Sequence, residues 1–356
     1  MKTVLILGGT GAMGKYLVDI LAKDSSWEVF VTSRSAREDC GSVKYIKGNA
    51  RDREFMSGLF ANARFDVIVD FMNYGYDEFS LCHKELLSHT DHYVFLSSCR
   101  VYDDCAEPIR EDAPRLLDTT ADLAFLQTQR YALRKARQEN MLKTSGFSNY
   151  TIVRPYITYS DGRLQLGVYE KEDWLYRVLN DKPLVIRAEI LDRATTLTWG
   201  NDVARVLARV AGSKPLNGAV HITSEETLTW RSILKLYSEV IKAETGKDAE
   251  IYTAHGQAME AVEALFEGGY NTKYDRLFDR SFNNSLAETL YGHVDYLDMD
   301  SGLRSCLKAF INEWKQCGNS AFLPCTPDFE TLMDELLRSN ENGQTEERLV
   351  DRLALS

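Results

Sequence analysis

The sequence carries no surplus of positive charge. Its 42 Lys and Arg face 53 Asp and Glu, for a net charge of −11, so a phosphate backbone or an anionic bilayer finds no electrostatic footprint. Nucleic acid and membrane surfaces are thereby set aside as partners. Long apolar runs are missing as well: no stretch approaches the roughly 20 residues needed to span a bilayer. The opening "MKTVLILGGTGAMG" has a short apolar run that leads into a glycine-rich turn instead of a small-residue cleavage site, and it reads as a core strand. Cysteine is sparse and unpaired in pattern. The seven at 40, 82, 99, 105, 306, 317 and 325 are odd in number and contain no C-x-x-C, which suits neither a disulfide framework nor a zinc site. The six histidines show no ligand spacing either. The expectation is a cytoplasmic chain with reduced thiols and no metal.

What is present is an alternation. At 356 residues the chain can bury a large core, and its first half alternates short apolar runs with helical periodicity, the mark of a parallel sheet covered by helices. Strands are predicted at 3–7, 28–32, 43–46, 67–71, 93–97 and 150–153. Helices are predicted at 14–23, 53–60, 78–88 and 121–144, from apolar spacings of three and four. This is the order of a doubly wound, Rossmann-type α/β domain. After Arg154-Pro155 the rhythm changes. One helix is expected in "VYEKEDWLYRVLNDKP", then a strand "LVIR", then "TTLTW", a helix at 202–211, a strand at 219–223 and a long helix at 230–245. From Gln257 the segments read as shorter and irregular. The division expected is a dinucleotide domain at 1–163, to which 194–224 returns, a smaller and mainly helical substrate lobe at 164–335, and a polar tail at 336–356.

In "VLILGGTGAMGKYLVDIL" the residues Gly8, Gly11 and Gly14 stand three apart at a strand-to-helix junction. A pyrophosphate needs that arrangement, because a tight turn brings backbone N–H groups and the helix N-terminus against it where any Cβ would intrude. The flanking strand and amphipathic helix turn a weak glycine pattern into a dinucleotide-binding prediction. The second strand ends in "VFVTSRSAR", with no carboxylate for a ribose 2′-hydroxyl. Ser33, Arg34 and Arg37 offer a hydroxyl and guanidinium donors instead, which favours NADP over NAD.

Two further motifs carry chemistry. "HYVFLSSCRVYDD" ends a strand in Ser97-Ser98-Cys99, at the edge where open α/β sheets bind ligands. "QRYALRKARQEN" contains Tyr131 and Lys135, the only tyrosine in the chain followed four residues later by lysine. With 18 tyrosines about one such pair arises by chance, so the surroundings must decide. Residues i and i+4 share a helix face, and a free phenol is a poor base at neutral pH unless a cation favours its phenolate. The alternative is a solvated helix face whose core side carries Leu133, Ala136 and Met141.

The glycine turn, S-S-x-x-V-Y, Y-x-x-x-K and the Arg154-Pro155 pair, taken in this order, resemble the extended short-chain dehydrogenases/reductases of the NAD-dependent epimerase/dehydratase group, which act on nucleotide sugars. The likeness spans about residues 1 to 225. It implies Ser98 as the group that bonds the substrate oxygen, Tyr131 as the acid/base and Lys135 as its electrostatic partner. For the dinucleotide it implies Gly8, Thr10, Gly11, Met13, Gly14, Ser33, Arg34, Asn49, Ala50, Met72, Asn73, Lys135 and Tyr156. Asn49, in "GNARD", replaces the aspartate that usually meets the adenine amino group. Family dehydratases carry Asp-Glu after the catalytic Thr, and Cys99-Arg100 cannot do that work. Cys99 reads as packing, and Arg100, Arg154 and Arg163 as candidates to face a diphosphate. The reading is therefore an NAD(P)-dependent epimerase or reductase of a nucleotide sugar or related carbonyl or alcohol; the sequence leaves the oligomeric state open, and the resemblance allows a homodimer in which two exposed helices pack as a four-helix seam. The rival is a non-catalytic member that senses NADP or binds RNA, since "VIVDFMNYG" and "FLSSCRVYD" also resemble the chloroplast stem-loop-binding relatives.

Overall fold

The computed structural model describes residues 1–106 and 108–340. Six parallel strands run in the first 155 residues: β1 Lys2–Leu7, β2 Trp27–Ser33, β3 Val43–Lys47, β4 Phe65–Asp70, β5 Thr90–Leu96 and β6 Tyr150–Pro155. Their spatial order is β3-β2-β1-β4-β5-β6, and the strand Gly218–Ile222 adds in parallel to β6 as a seventh. The sequence therefore reverses direction across the sheet between β1 and β4, the switch point where such folds open a crevice beyond the strand ends. The central strands carry continuous apolar runs, such as residues 4–7 and 67–69, because both faces are covered. Val4 and Ile6 meet helix α1 (Gly14–Ala22) and the helix Gly200–Gly212 on one side. Leu5 and Leu7 belong to the core of α2 (Arg53–Phe60) and α3 (Tyr76–Ser88) on the other.

The second core is larger and irregular. It gathers the helices Lys171–Leu179, Trp230–Thr245, Met299–Cys317 and Phe329–Asn340 around stacked Trp174 and Tyr237 rings, 4.9 Å apart. A parallel pair of short strands, Leu184–Arg187 and Ile251–Ala254, lies at its flank. The Met299–Cys317 helix corrects the expectation of short segments beyond Gln257: its 19 residues bury Leu303, Leu307, Phe310 and Ile311 on one stripe. A Cβ at Gly302 would collide with the Tyr159 hydroxyl, so glycine sets how closely this helix approaches the first domain. The polar tail is corrected at its start. Residues 336–340 finish a helix that buries Leu336, and 341–356 lie outside the described residues.

The span 121–144, expected as one helix, is two. A single turn, Leu123–Leu126, ends before Arg130 swings to an extended backbone (φ −63°, ψ 154°), and a new helix begins at Tyr131 and runs to Lys143. Tyr131 is thus the first residue of its helix and not part of a mid-helix face.

Candidate functional site

Two cavities open at the C-terminal ends of the strands. The first, about 430 Å³, is bounded by the glycine turn and the ends of β2, β3 and β4. Gly8, Thr10, Gly11, Ser33, Arg34, Asn49, Ala50 and Met72 all line it. Gly8 has φ +75°, a conformation that favours glycine, and a Cβ there would press on Met72 and Phe71. At Gly11 a Cβ would touch only the Gly8 carbonyl, at 3.4 Å, so that residue keeps open space beside the α1 N-terminus. Gly14 does a different job. It lines neither cavity, and a Cβ would sit 2.6 Å from Gly9 Cα, so its absence lets α1 pack on β1. Arg37, read as a second guanidinium donor, stacks over Tyr45 at 5.8 Å and is not among the lining residues.

The second cavity, about 290 Å³, lies past β5 and β6 and receives Ser98, Tyr131, Lys135, Met13, Asn73 and Tyr156 together. Ser98 leaves the sheet in extended conformation, and its Oγ accepts the Arg100 N–H at 3.2 Å, which caps the turn Cys99–Val101. Lys135 is 2 % exposed, so the solvated-face alternative fails for it. Its Nζ donates to the Leu96 carbonyl at 2.7 Å and stands over the Phe95 ring. Burial pulls the ammonium pKa down to about 8. Asp70, the nearest opposing charge, is also buried, which raises it to about 6, and it accepts from Tyr93 Oη at 2.7 Å and the Met72 N–H at 2.8 Å.

Tyr131 is held from three directions. Its backbone N–H donates to Glu267 Oε2 at 2.9 Å, a carboxylate from 136 residues away that meets the positive end of the helix. Its ring lies between two guanidiniums, Arg100 at 4.9 Å and Arg134 at 5.7 Å. Arg134 in turn donates to Asn73 Oδ1 at 3.2 Å. Glu267, Gly268 and Gly269 all have positive φ, and a Cβ at Gly268 would collide with the Arg130 guanidinium, so the cap depends on a tight turn that glycine permits.

Of the arginines offered for a diphosphate, the structure separates one from the others. Arg154 does not line the cavity; it is buried against Glu139 through Nε–Oε1 and Nη2–Oε2 contacts of 2.8 and 2.7 Å. Glu139 also accepts from Ser97 Oγ at 2.6 Å and Arg115 Nη1 at 3.1 Å. Burial alone would raise this carboxyl, but Arg154 and the other donors hold it below the usual range. The network locks β5, β6 and the Tyr131 helix together beneath the site. Cys99 packs as expected, fully buried with Sγ 3.0 Å from the Arg154 carbonyl, and burial pushes its thiol well up.

Arg100 and Arg163 do line the cavity, and they are joined by Gln165 and Arg276, which sequence reasoning missed. The available signal was the "YDRLFDRS" run, where Asp275 and Arg276 stand in a π-helical turn, Thr272–Arg276. Asp275 accepts from Tyr156 Oη at 3.1 Å, which ties the hydroxyl of a residue expected beside the nicotinamide. Among the described residues one trio, Glu225, Glu288 and His293, could hold a metal ion, and it lies on the surface outside both cavities.

The model of the NAD dependent epimerase/dehydratase family matches residues 4–217, more than half of the chain. No curated protein matches by sequence. Among solved structures, the Bordetella bronchiseptica enzyme WbmH in complex with NAD+ is 16% identical and superposes with a TM-score of 0.64 over 89% of this chain and 100% of that one. The UDP-N-acetylglucosamine 4-epimerase of Methanobrevibacter ruminantium M1 in complex with UDP-N-acetylmuramic acid is 16% identical, with a TM-score of 0.65 over 88% and 99%. The UDP-glucuronic acid 4-epimerase of Bacillus cereus in complex with UDP-glucuronic acid and NAD gives 16%, 0.63, 87% and 99%. At these identities the likeness shows the shared fold.

Proposed function

The chain belongs to the NAD dependent epimerase/dehydratase family, and from that premise we propose that it epimerises a nucleotide sugar, with a nicotinamide dinucleotide as the resident hydride carrier. The observation that carries this reading is the convergence of Ser98, Tyr131 and Lys135 on one cavity adjoining the glycine-lined one. The dinucleotide fits the first cavity because Gly11 leaves the α1 N-terminus bare and Gly8 brings backbone close. Ser33, Arg34 and Asn49 would hold its adenosine half, and Lys135 its nicotinamide ribose. When bound, the nicotinamide accepts a hydride from the sugar carbon and can return it.

The side chains do the rest. Ser98 Oγ donates to the reacting sugar oxygen and fixes its direction. Tyr131 Oη takes the proton from that hydroxyl as hydride leaves the carbon, and gives it back when hydride returns to the other face of the transient keto sugar. Lys135 and Arg100 line the same cavity and bring positive charge to the place where the proton is exchanged. Arg34 supports NADP over NAD, since no carboxylate ends β2. Pairing of two copies through α3 and the Tyr131–Lys143 helix is supported by their side-by-side packing and by exposed Leu81 on α3. Nothing in the site favours a non-catalytic or RNA-binding role, and no helix among the described residues is long and apolar enough to cross a membrane.

The test is incubation with NAD+ or NADP+ and a panel of nucleotide sugars carrying deuterium at carbon 4. Epimer that retains the label without net accumulation of reduced nicotinamide is the expected result. Stoichiometric reduced cofactor and an oxidised sugar would instead make the protein a dehydrogenase.

A further inference from the structure

Three guanidiniums converge on a single carboxylate beside the second cavity, and two of them, Arg100 and Arg276, line it. Arg100 Nε lies 3.4 Å from Asp275 Oδ2, Arg280 Nε lies 3.2 Å from Oδ1, and Arg276 pairs with the same group. All four side chains are largely or wholly buried: Arg276 and Arg280 are 1 % exposed, Asp275 2 % and Arg100 18 %. Asp275 is the carboxylate in contact with all three, while Glu267 and Glu170 act on Arg100 and Arg276 without contacting them, and buried charge short of a contacting partner is costly. Arg280 is relieved by the Tyr102 and Asp103 carbonyls and Arg276 by the Gly167 carbonyl at 2.8 Å. Arg100 has no such relief. Its Nε is buried without a hydrogen-bond partner, because the Asp275 contact misses hydrogen-bond geometry. Burial pushes the pKa of both Arg100 and Arg276 down.

The position of this excess matters as much as its sign. Arg100 follows Ser98 by two residues and stands 4.9 Å from the Tyr131 ring, so it flanks the reacting sugar ring and not a distant part of the ligand. The chain as a whole is strongly acidic, which makes a buried cationic wall here a local feature and not an average one.

Resting on the epimerase reading above, we propose that the sugar turned over is itself acidic, with a ring carboxylate of the hexuronate type that Arg100 receives. A planar carboxylate can take two parallel N–H donors from one guanidinium, and it returns the negative charge that the cluster lacks. A neutral hexose would leave Arg100 buried and unpaired when the site closes over it.

UDP-glucose and UDP-glucuronic acid differ only at carbon 6 and separate the two cases. With the dinucleotide-loaded protein, kcat/KM for epimer formation and the calorimetric Kd are measured for each. The acidic sugar should be favoured by about 30-fold or more, the scale of a charge-assisted pair. Arg100→Met should collapse that ratio toward one, and Arg100→Lys should retain part of it. Epimerisation of the neutral sugar at an equal or greater rate overturns the acidic-substrate proposal and leaves the epimerase reading intact. A ratio that survives Arg100→Met also overturns it, since the selection then lies elsewhere. Dinucleotide bound tightly with no epimer from either sugar, by contrast, overturns the epimerase reading and this proposal with it. The two-sugar comparison in the parent protein needs no variant to fold.

Discussion

The two cavities are built from different materials. The dinucleotide side is built around a backbone turn in which Gly8 takes a left-handed conformation and Gly11 leaves space, with Ser33, Arg34 and Asn49 at its far end, backed by strands packed on both faces. The sugar side is mostly side chain, with Ser98, Arg100, Tyr131, Arg163 and Arg276 drawn from four separate segments. Backbone recognition serves the part of the ligand that is the same in every reaction, and side-chain recognition serves the part that varies. A substitution should therefore act by sterics at the glycine turn and by charge and proton transfer in the second cavity.

The sharpest break of this contrast is Gly11→Val. A Cβ here meets only the Gly8 carbonyl, so the branched side chain grows into the space beside the α1 N-terminus from an uncrowded position. Dinucleotide binding should be lost in calorimetry while the thermal midpoint of the apo protein holds. Tyr131→Phe should do the converse. It removes one hydroxyl, so cofactor affinity should persist while turnover falls by roughly two to four orders of magnitude. Parent-rate turnover by this variant would end the acid/base assignment.

Glu139→Ala tests the platform beneath the second cavity. It strands Arg154 and Arg115 next to an emptied acceptor site, and a loss of about 3–5 kcal/mol in denaturant unfolding is expected. Lys135→Met should move stability the other way. The folded-state pKa near 8 lies below the ordinary value of 10.5, so the parent protein bears the full burial penalty below about pH 8 and sheds it as pH rises toward 10.5. The variant should be more stable than the parent at pH 7 by about 1–3 kcal/mol, offset in part by the unpaired Leu96 carbonyl, and the gap should close with rising pH. Turnover and cofactor affinity should both fall. The smallest effect is expected at the rim: Arg34→Asp should weaken NADP by about 1–2 kcal/mol and spare NAD. An unmutated protein that binds NAD more tightly than NADP would reverse the cofactor preference.

The same contrast explains what the sequence disclosed. Strands such as Val43–Lys47 and the glycine turn follow local rules, so apolar run length and glycine spacing were enough to find them. The helix Trp230–Thr245 was legible because its apolar stripe and its Thr229 cap are both local. The break before Tyr131 was not. Arg137 binds the Leu126 and Thr128 carbonyls and Glu267 caps the new start, contacts that arise only after the chain has folded back on itself. The "YDRLFDRS" run marked Arg276 and Asp275 as charged residues, but nothing near them in sequence says that Arg276 shares a cavity with Ser98. Arg154 was misread because a buried ion pair and a ligand-facing arginine look alike until Glu139 is in view.

The cap on Tyr131 has a further consequence. The residue expected to move the proton is anchored at its own peptide nitrogen by Glu267, which sits on the same short stretch, 267–276, that carries Arg276 into the cavity wall with Asp275 paired to it. That stretch is clasped to the other side by Phe125 stacked on Tyr270 and Tyr274 at 4.6 and 4.4 Å. A substitution that displaces this stretch would therefore disturb the tyrosine's cap and the arginine wall together.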